Sequence, residues 1–297
     1  METLLSHSFD YLSSASPQKI RKGLRQVEGL LAQICMSKPQ QPLNKRHSML
    51  ALGSNSTTTP PKKLKDLHSD PAYREFFKLQ QGFQWNVCMR LISCLERLLG
   101  KESNGTNDLL VIQTLELIQG VLLLHPPSRE LFAREIYMNL FLDLLDPQNC
   151  PAIQSTTLLA LVTSLLDQPS NTRTFETLDG LLVITSLFKS RSTSREVKMK
   201  LVEFLYFYLM PETAPPKHVV TSATNTAVLG GRGREIAAAF DRDRRRESTV
   251  HIDTEIKGDG QTRSTTDKQE MLSKYLSNVQ DLVEDLSEGS GPFGVGS

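Results

Sequence analysis

The feature that most constrains this chain is a likeness to itself at an offset of 43 residues. The segment LLVIQTLELIQGVLLLHPPSRELF (109–132) lies over AIQSTTLLALVTSLLDQPSNTRTF (152–175). Leu115 then falls on Leu158, Leu122 on Leu165, Leu123 on Leu166, Pro126 on Pro169 and Phe132 on Phe175. These matches mark one apolar helix, a proline-bearing turn after it and an aromatic residue in the next helix. Predicted helices over 128–145 and 173–189 keep the register, with Leu144 falling on Leu187. A further 43 residues carry Leu158 to Leu201 and Leu166 to Leu209, inside a third helix predicted over 195–210. A period of about 40–47 residues made of helices alone is the signature of armadillo or HEAT stacking. A helical pair of this kind cannot bury its apolar face alone, so its neighbours must stack on it. The sequence therefore predicts an all-α, armadillo/HEAT-like right-handed helical stack over residues 1–210, with a disordered loop and C-terminal region and no strand.

The rest of the chain fits around that core. Residues 1–36 read as helical, with Ser16-Pro17 as a cap-plus-proline start. Ile20, Leu24, Val27, Leu31 and Ile34 follow as one apolar stripe. Asp70-Pro71 starts another helix through Tyr73, Phe76 and Phe77, and a longer one is predicted over 83–99, stopped by Gly100. Between these lies 38–66, with Pro39, Pro42, Pro60 and Pro61 and a local charge of +5, which predicts a disordered basic insertion. Residues 211–267 balance nine basic against nine acidic side chains and carry Pro215-Pro216 and Gly230-Gly231. They read as a disordered linker with a short helix at 233–246. A final amphipathic helix is predicted over 268–287, where Leu272, Leu276, Val279, Val283 and Leu286 keep heptad spacing. A flexible tail follows over 288–297.

Composition narrows the function classes. The net charge is +1, so no global field draws the chain to nucleic acid or acidic lipid. The N-terminus has no secretory pattern, and no apolar run reaches the length of about 18 residues that a membrane span needs. Both predict a cytoplasmic or nuclear chain without a membrane span. Cys35, Cys88, Cys94 and Cys150 form no C-x-x-C pair and read as free thiols of a reducing compartment.

Signatures of chemistry are missing from the sequence. GGRGRE (230–235) has glycines but neither a strand before it nor a placed lysine, so it is no phosphate loop. A phosphatase loop needs a cysteine with arginine six positions on, and Gln41, Cys94, Gly100 and Thr156 occupy those positions. The six histidines are scattered, and no pair shares a helical face at metal-binding spacing. The sequence thus predicts no catalytic residue, no cofactor and no metal.

Three features bear on partners instead. FLYFYLM (204–210) makes its helix apolar nearly all round, so a single neighbour leaves part of it uncovered. Either the helix at 268–287 caps it, or Phe204, Phe207 and Tyr208 form a partner surface. Trp85, near Phe83 and Tyr73, reads as a core filler or as an interface anchor. RDRRRES (242–248) has arginines interleaved with acids and no aromatic residue for base stacking, which argues for a solvated linker. Ser248, three residues after Arg245, and Ser48, after Lys45-Arg46-His47, are candidate phosphosites.

Three stretches carry a family resemblance: METLLSHSFDYLSSASPQKIRKGLRQVEGLLAQIC, FFKLQQGFQWNVCMRLISCLERLL, and NTRTFETLDGLLVITSLFKS followed by VKMKLVEFLYFYLMPE. Over about 1–210 the chain resembles the cell division control protein 14 family of the fungal septation initiation network, which shares only a number with the unrelated phosphatase. The resemblance implies an armadillo-like, non-catalytic regulatory scaffold subunit that binds a protein kinase of the Ste20 (germinal-centre) type. It implies recruitment to the spindle pole body and a role in septum formation and cytokinesis. It implies no small-molecule substrate. The alternative is a binder of nucleic acid or phosphoinositide through the basic segments 38–66 and 242–246. Salt separates the two, because phosphate-backbone binding weakens steeply with ionic strength whereas an apolar interface of about 1,000 Å² or more persists.

Overall fold

A computed structural model describes residues 1–36, 62–100, 105–212 and 262–287. All regular structure among these is helical, in one stack of packed helices with a continuous apolar core.

The N-terminal layer pairs α1 (Glu2–Leu12) with α2 (Pro17–Cys35). The two helices come close at Gly23, where a Cβ would lie 3.0 Å from the Ser8 carbonyl oxygen and from the Leu12 nitrogen. The stripe predicted on α2 is buried in full. Ser16 does occupy the N-cap, but its side chain accepts no capping bond, and Pro17 alone pre-sets the first turn. A single turn, α3 (Leu64–Leu67), follows the part of the insertion that lies outside the described residues. Lys62, predicted as part of that insertion, is fixed: it donates to the Ile34 carbonyl at 2.8 Å and pairs with Asp70 at 2.6 Å. Asp70 caps α4 (Pro71–Gln80) through the amides of Ala72 and Tyr73, as its position before proline predicts.

The helix predicted over 83–99 is two pieces. A 3-10 turn holds Phe83–Trp85, and α5 (Val87–Leu99) starts afresh with Asn86 accepting from the Met89 amide. Buried Gln80 stabilises the break by accepting from the Val87 amide at 2.7 Å and donating to the Trp85 carbonyl at 3.1 Å. Gly100 ends α5 in right-handed geometry, without the left-handed turn that makes glycine a common stop.

The repeat is visible in the helix boundaries. Three apolar helices, α6 (Asp108–Leu124), α8 (Pro151–Leu165) and α11 (Arg195–Leu209), pack side by side, with α2 and α5 covering the open flank of α6. Between them each predicted long helix is again split. Residues 128–145 become a 3-10 segment, Pro126–Ala133, and α7 (Glu135–Leu144); 173–189 become α9 (Pro169–Thr177) and α10 (Gly180–Lys189). Extended backbone at Arg134 and a left-handed Asp179 (φ 58°) make the two bends, so the repeat has three helical pieces rather than two. Pro126 and Pro169 each open the short piece, preceded by nearly the same backbone, φ −130°, ψ 78° at His125 and φ −130°, ψ 81° at Gln168.

Matched apolar positions are core positions: Leu115, Leu158 and Leu201, Leu122 and Leu165, Leu144 and Leu187, and Phe132 and Phe175 are all buried. Leu123 with Leu166 is the exception; Leu123 is 54% exposed because it sits on the outer side of the last turn of α6. The offset also joins Thr114 to Thr157, both buried, each donating its hydroxyl to the carbonyl four residues back, at 2.6 and 2.7 Å. Buried Arg129 ties successive repeats together, donating to the Leu122 carbonyl at 3.2 Å and to the Leu166 carbonyl at 2.9 Å. A cation over two helix C-termini is favoured by both hydrogen bonding and the helix dipole.

His125, at the end of α6, is 2% exposed, with its Nδ1 2.8 Å from the Ser128 hydroxyl and the Phe77 ring edge-on at 4.5 Å. Burial pushes its pKa down to about 4. Unfolded histidine binds a proton near pH 6.5, so the unfolded state takes up the proton first as pH falls. Stability is therefore complete above about pH 6.5 and falls toward pH 4, by about 2–3 kcal/mol. Urea unfolding at pH 7 and pH 4.5 measures this loss. A His125→Gln variant, which installs the residue the next repeat uses at the same place, is expected to remove that part of the slope.

The single helix predicted over 268–287 is two, α12 (Thr265–Ser273) and α13 (Val279–Ser287). Ser264 and Asp267 form a capping box that starts the helix before residue 268. Lys189 donates to the Tyr275 carbonyl at 2.6 Å, the group that a continuous helix would offer to Val279. Residues 262–264, inside the predicted linker, belong to the described C-terminal segment, where Arg263 pairs with Glu176. The helix predicted at 233–246 and the tail at 288–297 lie outside the described residues. Among the described residues no single helix is long and apolar enough to cross a membrane.

Candidate functional site

Among the described residues, the far end of the stack brings a cluster of paired charges beside an apolar cleft. α9 presents Arg173 and Glu176 on one side, the C-terminus of α11 brings Tyr208 and Glu212, and the returning chain brings Arg263 and Lys268. The Glu176 side chain is 3% exposed and accepts from the Tyr208 hydroxyl at 2.7 Å and from Arg173 at 2.6 Å; it also pairs with Arg263. Glu212 pairs with Arg173, lies 3.3 Å from Lys268 and accepts from the Arg263 amide at 2.9 Å. Lys268 donates to the Met210 carbonyl at 3.0 Å, and its ammonium stands 5.2 Å from the centre of the Tyr208 ring.

Burial, and then the Glu176 charge, push the Tyr208 pKa up. Burial pulls that of Lys268 down, against the opposing pull of Glu212. Each carboxylate is engaged by three partners, Glu176 by Tyr208, Arg173 and Arg263, and Glu212 by Arg173, Lys268 and the Arg263 amide. The cluster is an ion network that fastens residues 262–273 to α9 and α11. No group of His, Cys, Asp and Glu among the described residues is placed to hold a metal ion. All four cysteines are free thiols, and burial pushes that of Cys88 up to about 12, far from a reactive thiolate.

Beside the network lies a cleft of roughly 180 Å³, walled by Leu166, Pro169, Thr172, Phe207 and Met210 with Lys268 at one edge. The candidate partner residues divide around it. Phe204 and Tyr208 are each 1% exposed, with Phe204 packed 5.6 Å from Phe175, so both are core side chains here. Leu272, Leu276 and Val279 of the returning segment are buried where α12 and α13 pack on α11. Phe207 alone of the three keeps an open edge, and it faces the cleft. Trp85 is half-buried at the opposite end, 6.4 Å from Phe9. Ser48 and Ser248 lie outside the described residues.

Sequence reasoning missed Arg173, Glu176, Glu212 and Arg263. They stand in three segments, and beyond the i, i+3 spacing of Arg173 and Glu176 no window of sequence brings them together. The Ser264–Asp267 capping box carried a further short-range signal.

Fold and site together define a helical repeat stack on whose far end the C-terminal segment packs, held there by the ion network of Arg173, Glu176, Glu212, Arg263 and Lys268. The chain matches the family model described as cell division control protein 14, SIN component, over residues 1–293, and it belongs to that family. A curated relative, "Cell division control protein 14" of Schizosaccharomyces pombe (strain 972), is 29% identical over 303 residues, spanning 99% of this chain and 97% of the relative. No solved structure matches the chain.

Proposed function

We propose that this chain is a non-catalytic scaffold subunit of the septation initiation network that binds a Ste20-type protein kinase, promotes septum formation and cytokinesis, and acts in the cytoplasm and at the spindle pole body. The observation that carries the reading is the whole-length match to a family described as a SIN component of cell division. The architecture supports it: stacked helical repeats make extended surface, and the acids and bases at the site's end are engaged with one another. Lys62, one of the basic residues of the segment 38–66 on which the competing reading relies, is committed to Asp70 and Ile34.

The test is co-purification of the full chain with a germinal-centre kinase of the same network at about 0.1 and 0.5 M salt. A complex that survives the higher salt fits an apolar interface. No complex at either salt, or binding to anionic vesicles or RNA that collapses as salt rises, would sink the reading.

A further inference from the structure

The connection between α10 and α11 reads KSRSTSR over 189–195, with hydroxyl side chains set among basic ones. Thr193 donates its hydroxyl to the Leu187 carbonyl at 2.7 Å, which folds the connection back on the end of α10. Ser194 caps α11 by accepting from the Val197 amide at 3.3 Å. Ser190 is half-buried and accepts from the Ser192 amide at 3.3 Å. Ser192 is exposed, and its hydroxyl contacts that of Ser190 at 2.8 Å, a bond that water replaces at little cost. Lys189 stands three residues before Ser192, Arg191 one before and Arg195 three after, all of them exposed. No ion pair among the described residues engages either arginine. Lys189 also holds the C-terminal segment at its break, since its ammonium donates to the Tyr275 carbonyl at 2.6 Å between α12 and α13. Beyond that break the hold is light: in α13 Val279 is buried, whereas Leu282 and Val283 are half-buried.

We infer that Ser192 is a phosphorylation site for a serine kinase that selects basic residues ahead of its acceptor, and that the phosphate draws Lys189 off Tyr275 and loosens α13 on α11. Lysine three residues ahead and arginine one residue ahead supply the charge pattern by which such a kinase chooses its substrate. In the transfer Ser192 Oγ attacks the γ-phosphorus of ATP. The Oγ–P bond forms as the bond to the departing ADP oxygen breaks, and the hydroxyl proton passes to the kinase's base. The product carries a charge of about −1.5 to −2 and three acceptor oxygens where a neutral hydroxyl stood. A bond between two ionised groups is stronger than one from an ammonium to a neutral carbonyl, so Lys189 turns back to the phosphate. The Tyr275 carbonyl then loses its donor at the point where the helix is already interrupted.

Mass spectrometry of the full chain, isolated from its own cells both growing and arrested in division, is expected to find phosphate on Ser192. Recovery of residues 187–200 without it in both states, or with phosphate on Ser190, Thr193 or Ser194 in its place, overturns the assignment. The consequence is read by hydrogen exchange on the full chain with phosphoserine introduced at position 192 during synthesis. Exchange over 275–287 is expected to quicken roughly fivefold, with α6 and α8 at wild-type rates as the sign that the stack is folded. Lys189→Ala is expected to quicken the same residues about as much, and phosphoserine at 192 in that variant to add nothing further. Wild-type rates over 275–287 with phosphoserine present place the phosphate on Arg191 or Arg195 and overturn the coupling to the C-terminal segment. A quickening that persists undiminished in Lys189→Ala, or that spreads to α6 and α8, overturns release through Lys189.

Discussion

Replacing Glu176 with alanine is expected to destabilise the protein by about 3–5 kcal/mol and to release the C-terminal segment from the stack. The magnitude is that of breaking a buried ion pair by removing one partner, which leaves the opposite charge in low dielectric without compensation. Glu176 neutralises Arg173 and Arg263 together and accepts from the buried Tyr208 hydroxyl. Without it Arg173, Arg263 and Lys268 face Glu212 alone, and Tyr208 loses its acceptor. The cheapest relief is for Arg263 to swing into water, which undoes the anchor of α12. Hydrogen exchange is therefore expected to quicken over 265–279 well before it does over α6 and α8, alongside a lower urea midpoint. Glu176→Gln, which keeps an acceptor for Tyr208 but no charge, should fall between wild type and alanine. Wild-type exchange rates over 265–279 in the alanine variant would show that apolar contacts of Leu272, Leu276 and Val279 hold the segment alone.

Truncating Phe175 to alanine is expected to cost about 3–5 kcal/mol, the range for a large aromatic removed from a closed core. The ring is fully buried between α9 and α11, 5.6 Å from Phe204. It also fills the place a side chain would need at Gly180, where an added Cβ would overlap the ring and lie 2.6 Å from the Phe175 carbonyl oxygen. Gly180 opens α10 directly after the left-handed Asp179, so that bend is built around the ring and cannot close over its loss. Phe132→Ala, at the equivalent place in the repeat before, should cost a similar amount, since Phe132 is equally buried and stacks on Phe141 at 4.6 Å. Denaturant unfolding of both variants is the check; a change below about 1 kcal/mol in either would mean that the repeats tolerate the cavity and that the matched aromatics are not what spaces them.

Much of the stack was legible because repetition writes itself into sequence. The 43-residue offset placed α6, α8 and α11, their buried leucines and the prolines that open the short pieces, since equal surroundings select equal residues. Asp70 ahead of Pro71 was legible for a local reason, the capping of two amides by one carboxylate. Breaks inside helices were less so. The splits after residues 133 and 177, the 3-10 turn before α5 and the interruption between α12 and α13 run through sequence that keeps helical periodicity, and each is stabilised by a group from elsewhere in the chain or by backbone that bends to follow a neighbouring repeat.

What the sequence determined by itself was the class of fold and the length of its repeat, because apolar periodicity and matched turns are properties of neighbouring residues. Only the tertiary structure decided which face of FLYFYLM is closed, which charges meet and where an edge stays open. Glu176 meets Arg263 across 87 positions in the chain, and Lys268 meets Met210 across 58. Such pairings depend on how the chain returns to the end of the stack, and the free energy of burying a charge depends on that return rather than on the residues beside it.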